Sequence, residues 1–114
     1  MLPSSYDLVG VCRDGAETIQ STLDLEPDLL LVDVLMPGMD GIQISRELRA
    51  LQSRTQVVMF TGIEDVQFVR AALAAGAKGY VFKRLLEKDL VKALEEVLDG
   101  EVFVSLPLSP RDAE

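Results

Sequence analysis

The sequence predicts an α/β domain, a doubly wound parallel sheet with helices on both faces, and three observations carry that prediction. Short aliphatic runs alternate strictly with longer stretches whose apolar residues recur at helical spacing, as in consecutive strand–helix units. One run, Leu29-Leu30-Leu31-Val32, is apolar at every position, as strands buried on both faces of a parallel sheet are. Three successive runs end in residues able to do chemistry, Asp33, Thr61 and Lys83, where such sheets present their functional groups.

Four strand–helix units follow in order. Met1 to Ser5 is short and irregular, and Leu8-Val9-Gly10-Val11-Cys12 reads as the first strand. Arg13-Asp14-Gly15 turns the chain, with Asp14 placed to cap a helix whose Ala16, Ile19 and Leu23 share a face. Pro27 closes it, because proline disfavours helix in the residue before it. Leu29 to Val32 is the central strand, followed by Asp33 and a Pro37-Gly38 turn; Asp40-Gly41 opens a second helix with Ile44, Leu48 and Leu51 inward. Val57 to Phe60 is the third strand and ends in Thr61-Gly62; a helix from about Glu64 to Ala75 turns Val66, Val69 and Leu73 inward and stops at Gly76. Gly79 to Phe82 is the last strand, ending at Lys83, and a helix from about Glu87 to Leu98 buries Leu90, Leu94 and Val97. The crossovers are expected to be right-handed. Residues 101–114 carry Pro107 and Pro110 and no helical face, so they read as a linker after a domain at 1–100.

Composition narrows the function. At 114 residues the chain is one domain with a modest core, and 48% hydrophobic with 26% charged residues is an ordinary globular balance. A net charge of −8 argues against this segment gripping nucleic acid, which needs clustered Lys and Arg. The chain has no histidine, which excludes His-based catalysis and His metal sites. A single cysteine, Cys12, excludes an intrachain disulfide and reads as a small buried hydrophobe. No apolar run approaches the ~18 residues of a membrane helix and no signal peptide is evident, so no membrane role and a cytoplasmic location are expected.

Asp33, Thr61 and Lys83 recur at one structural phase in three consecutive units, so a parallel sheet brings them to one edge. Singly, each has a plainer role: a turn former, a helix cap, a solvated lysine. Together they are the parts needed to carry a phosphoryl group. A carboxylate attacks phosphorus, a hydroxyl donates to one phosphoryl oxygen and an ammonium neutralises another.

The segments LLLVDVLMPGMDG, VVMFTG and AALAAGAKGYVFK, with the closing helix ending in DG, resemble the receiver domain of two-component response regulators, CheY-like in fold, from about Val9 to Gly100. The resemblance implies a phosphoacceptor rather than an enzyme. Asp33 would be charged from a phosphohistidine on a sensor histidine kinase, Thr61 would be the switch hydroxyl and Lys83 the phosphate-binding lysine. Tyr80 would be the switch aromatic that turns inward as Thr61 moves. The family's cofactor is Mg²⁺, to which this chain would offer Asp33 and the Leu35 backbone carbonyl; Asp40 reads as a helix cap. The stretch from Gly100 to Ser105 and the residues Leu108 to Glu114 are similar to the link and opening of a LuxR-type helix-turn-helix domain, which implies transcription regulation through a missing DNA-binding output domain.

Two departures matter. Arg84 follows Lys83 where the family usually has proline. The match also starts at the family's second strand, so the first strand, its acidic pair and the first helix are absent, and Asp7 precedes its strand rather than ending it. Weak Mg²⁺ binding and slow phosphorylation are the chemical expectation. Structurally, the family order 2-1-3-4-5 would leave a gap. The strand near Val9 then pairs with the one near Val32, or another chain fills the gap, or that segment is displaced; self-association, as a homodimer, is expected. The competing reading is a pseudo-receiver, an interaction or dimerisation module that does not use phosphate. An Asp-nucleophile phosphatase of the haloacid dehalogenase type is disfavoured because position 35 is Leu rather than a second Asp. A nucleotide-binding domain is disfavoured because no Gly-rich phosphate loop follows a strand.

Overall fold

The most apolar run forms the first strand of the sheet. In the computed structural model, which describes residues 5–36 and 38–105, β1 is Leu29–Asp33. It is followed by β2 (Gln56–Thr61), β3 (Gly79–Phe82) and β4 (Phe103–Val104). All pairings are parallel and the spatial order is β1-β2-β3-β4. The connecting helices are α1 (Gly15–Leu25), α2 (Gly41–Ala50), α3 (Val66–Ala74) and α4 (Leu86–Leu98).

Strand alternation divides the core into two layers. Val32, Val57, Met59, Tyr80 and Phe82 pack on Ile44 and Leu48 of α2 and on Val69 and Ala72 of α3. Val58, Val81 and Phe103 point the other way, onto Leu90, Ala93, Leu94 and Val97 of α4. The sheet is therefore covered on both faces, and the α/β doubly wound class holds.

Side-chain caps set where the helices start. Asp14 accepts from the Glu17 N–H at 2.9 Å and opens α1. Asp40 and Gln43 form a reciprocal capping box at α2, and Asp65 accepts from the Gln67 N–H at 2.7 Å at α3. Gly76 follows α3 with φ 106°, a backbone region that favours glycine.

Several expectations need correction. Leu8 to Cys12 is not a strand, and it does not pair with β1. It runs beside β1 across a cleft of about 780 Å³ lined from both sides, with Leu8 74%, Val9 53% and Val11 77% exposed. Within this single chain the segment is displaced from β1 rather than paired with it. Cys12 is half-buried rather than a core residue, its Sγ 3.8 Å from the Glu17 carbonyl oxygen. Without a strand beneath it, α1 buries Gly15, Thr18 and Thr22, with Ile19 part-buried, while Ala16 and Leu23 are exposed. Leu51 lies past the end of α2 and is exposed, and Val66 and Leu73 are only part-buried.

The stretch read as a linker also departs from expectation at its start. Phe103 and Val104 form β4 against β3, and Ser105 is fully buried. The Ser105 N–H donates to the Tyr80 carbonyl at 3.0 Å, its Oγ accepts from the Phe82 N–H at 3.2 Å, and its hydroxyl donates to Asp89 Oδ2 at 2.7 Å. The domain thus extends through Ser105. The Pro37 half of the turn after β1, residues 1–4, and the expected start of an output domain at 106–114 lie outside the described residues.

Candidate functional site

The site is built at the carboxyl ends of β1, β2 and β3. Asp33 is the last residue of β1. Its Oδ1 accepts from the Leu35 N–H at 3.0 Å, which makes a local turn and aims the carboxylate out of the sheet edge. The turn is packed tightly from below. The Gly41 N–H donates to the Val34 carbonyl at 2.8 Å, and a Cβ on Gly41 would lie 2.6 Å from the Asp33 carbonyl oxygen. Only glycine permits that approach.

Lys83 begins the 3-10 turn Lys83–Leu85 that follows β3. Its ammonium spans the end of β2, 5.6 Å from the centre of the Phe60 ring, and reaches Asp33 Oδ2 at 2.7 Å. The Asp33 side chain is 19% exposed and that of Lys83 51%, so the pair sits at a water-accessible rim.

Thr61 ends β2 and is fully buried. Its Oγ1 accepts from the Ile63 N–H at 3.1 Å. An accepting hydroxyl keeps its hydrogen to donate. Tyr80, from the middle of β3, is also fully buried and turned inward, and its hydroxyl donates to the Ile63 carbonyl at 2.8 Å. Its ring meets Phe82 edge to face at 6.0 Å. Burial pushes the Tyr80 phenol up to about 12, and the nearby Asp65 carboxylate adds to the rise. Ile63 is therefore bound through both backbone groups, one to Thr61 and one to Tyr80.

The sequence left two further features unread. Glu64 and Arg84 form a two-pronged ion pair at 2.5 and 2.7 Å, which draws Glu64 below its ordinary range and raises Arg84. Asp89, in the first turn of α4, is buried against Ser105. Neither shows a periodic signal, because each partner sits on a different element.

Receiver domains generally bind Mg²⁺, and the residues offered for it can be tested. Both Asp33 oxygens are already engaged, one by the Leu35 N–H and one by Lys83. Asp40 is committed to its capping box. Among the described residues no group of three or more His, Cys, Asp or Glu side chains could hold a metal ion. Mg²⁺ asks for near-octahedral oxygen ligation. The described residues do not fit it: they supply one carboxylate, already hydrogen-bonded, and the Leu35 turn.

Comparison with known proteins is consistent with this geometry. Residues 3–95 match the model of the response regulator receiver domain. The chain is 36% identical over 103 residues to the nitrate/nitrite response regulator protein NarL of Escherichia coli (strain K12), covering 90% of the chain and 48% of that protein. It is 30% identical to the oxygen regulatory protein NreC of Staphylococcus aureus (strain JH9), covering 93% of the chain and 49% of that protein. The chain thus spans about half the length of these curated relatives. Its fold is similar to that of a LuxR-family two-component response regulator from Aurantimonas sp. SI85-9A1, with a TM-score of 0.77 and 31% identity over 88% of this chain and 69% of that one. It is also similar to the isolated REC domain of RcsB from Salmonella enterica serovar Typhimurium in the presence of the phosphomimetic BeF3-, with a TM-score of 0.81 and 25% identity over 95% and 80% of the two chains. Asp33 and Thr61 end neighbouring parallel strands and Lys83 pairs with Asp33; matched over residues 3–95, this protein is a member of the response regulator receiver domain family.

Proposed function

We propose that this chain receives a phosphoryl group on Asp33 from the phosphohistidine of a sensor histidine kinase and relays that event to a DNA-binding output domain that regulates transcription. The contact that carries the reading is the 2.7 Å pair between Lys83 and Asp33, made across the sheet edge. In the transfer, an Asp33 carboxylate oxygen attacks phosphorus, the P–N bond breaks with its electron pair going to the imidazole nitrogen, and an acyl phosphate forms. Lys83 holds the carboxylate in place beforehand and then neutralises a phosphoryl oxygen. Thr61 donates its free hydrogen to another. Tyr80, already bonded to the loop after Thr61, registers its movement. The chain is a stoichiometric acceptor rather than a turnover enzyme.

The single carboxylate argues for slow transfer with little dependence on Mg²⁺. The NarL and NreC relatives, named as response and oxygen regulatory proteins, support the transcriptional output. Work in the cytoplasm fits that role, and no helix among the described residues is long and apolar enough to cross a membrane. The outer edge of β1 pairs with no strand among the described residues, which favours self-association as a homodimer. Sedimentation at rising concentration should show it, and a monomer throughout contradicts it.

The test of the main reading is incubation with a small phosphodonor followed by intact mass. One phosphoryl group, labile to hydroxylamine as an acyl phosphate is, should appear on the chain and not on Asp33→Asn. Equal labelling of both proteins would overturn the assignment.

A further inference from the structure

The turn after Lys83 and the loop after Thr61 are tied together by a contact that neither site residue makes. Arg84, where the family usually has proline, places its guanidinium on both oxygens of Glu64, at 2.5 and 2.7 Å. The same guanidinium lies 5.8 Å from the centre of the Phe82 ring. Glu64 immediately follows Ile63, whose N–H is held by Thr61 at 3.1 Å and whose carbonyl is held by Tyr80 at 2.8 Å. Three successive anchors thus fix the β2–α3 loop, and the outermost one is charged. Side-chain exposure of 55% for Arg84 and 31% for Glu64 leaves the pair open to salt.

We propose that the Glu64–Arg84 pair is a clamp that keeps the loop after Thr61 closed and Tyr80 buried before any phosphoryl group arrives, which makes Arg84 a positioning residue for the receiving edge. The bidentate fork gives the clamp direction as well as charge, so lysine does not replace arginine here. With the clamp intact, the loop is preset in the arrangement that aims the Thr61 hydroxyl. With it open, the loop keeps the two neutral hydrogen bonds at Ile63 and the packing of that side chain on the core. This rests on the reading of Thr61 and Lys83 as phosphoryl-holding groups, but its test needs no phosphodonor. A failure of Asp33 to accept phosphate would therefore leave the clamp result standing.

The chain has two tyrosines and no tryptophan, so in a Tyr6→Phe background Tyr80 is the only fluorescent reporter of its kind. Collisional quenching of its emission by acrylamide then measures how much of the population exposes it. In that background Tyr80 should be strongly protected at low ionic strength, and the accessible fraction should grow as salt is raised. Arg84→Ala and Glu64→Gln should each raise the accessible fraction about two- to fivefold at low salt, the range expected for an exposed ion pair. Arg84→Lys should fall between the background and Arg84→Ala. The double reversal Glu64→Arg with Arg84→Glu should restore protection, which a merely steric role would not. Circular dichroism establishes that each variant is folded. Unchanged protection in folded Arg84→Ala and Glu64→Gln, or a double reversal no better protected than either single variant, would overturn the proposal.

Discussion

The two flanks of the sheet are finished to different degrees. On the β2–β3 side, Thr61, Tyr80 and Phe82 are fully buried, and the polar atoms of Thr61 and Tyr80 are partnered. On the β1 side, Leu8 and Val11 stand 74% and 77% exposed beside a cleft, and among the described residues β1 is paired along one edge only. The closed flank holds Thr61 and Tyr80; the open flank holds Asp33. Lys83 crosses from one to the other over Phe60. The carboxylate is thus positioned largely by groups that β2 and β3 bring to it and by its own turn, rather than by a strand on its far side.

Stability should divide along the same line. Phe82→Ala empties a fully buried site between β3 and the α2–α3 layer. It should cost about 3–5 kcal/mol in denaturant unfolding. A loss equal to that of a β1-flank variant would break the contrast.

Alkaline pH gives the next largest effect. Burial raises the Tyr80 phenol from an ordinary 10.0 to about 12, so the folded state holds its proton more tightly than the unfolded chain. The contribution is complete below pH 10 and is lost as pH rises toward 12. It amounts to roughly 2–3 kcal/mol by the ordinary conversion of pKa differences. The stability of the chain relative to Tyr80→Phe should therefore fall by that amount as pH climbs through that window, and a difference independent of pH would contradict the burial of the phenol.

The capping box at Asp40 contributes less. Asp40→Ala should cost about 1 kcal/mol, with little change in any reactivity of Asp33 beyond that due to unfolding. Smallest of all is Val11→Ala, expected to move stability by under about 0.5 kcal/mol because the side chain is 77% exposed. A loss above that would mean Leu8 to Cys12 is packed in solution.

Much of this was legible in the residues. β2 and β3 announced themselves because strands buried on both faces are apolar throughout; β1 is as apolar, yet it lies at the sheet edge rather than at its centre, with Leu31 38% exposed. The shared edge was legible because Asp33 and Thr61 close strands and Lys83 directly follows one, and parallel topology aligns such ends. Leu8 to Cys12 misled for a physical reason: composition shows which residues want burial but not whether an edge lies within reach. β4 is two residues long, too short to show alternation, and the nearby Pro107 and Pro110 spoke for a linker. The inward setting of Tyr80 and the Glu64–Arg84 pair depend on groups brought together by tertiary structure, so no local pattern encodes them.

In the proposed function Asp33 accepts the phosphoryl group and Lys83, brought by β3, equips it to do so. The most direct measurement is an intact-mass time course with a small phosphodonor on the chain, Asp33→Asn and Lys83→Met in parallel. One phosphoryl group is expected on the chain, none on Asp33→Asn, and a rate for Lys83→Met lower by roughly a hundredfold or more, as for loss of a preorganised charge-stabilising donor. Labelling of Asp33→Asn, or an unchanged rate in folded Lys83→Met, would contradict it.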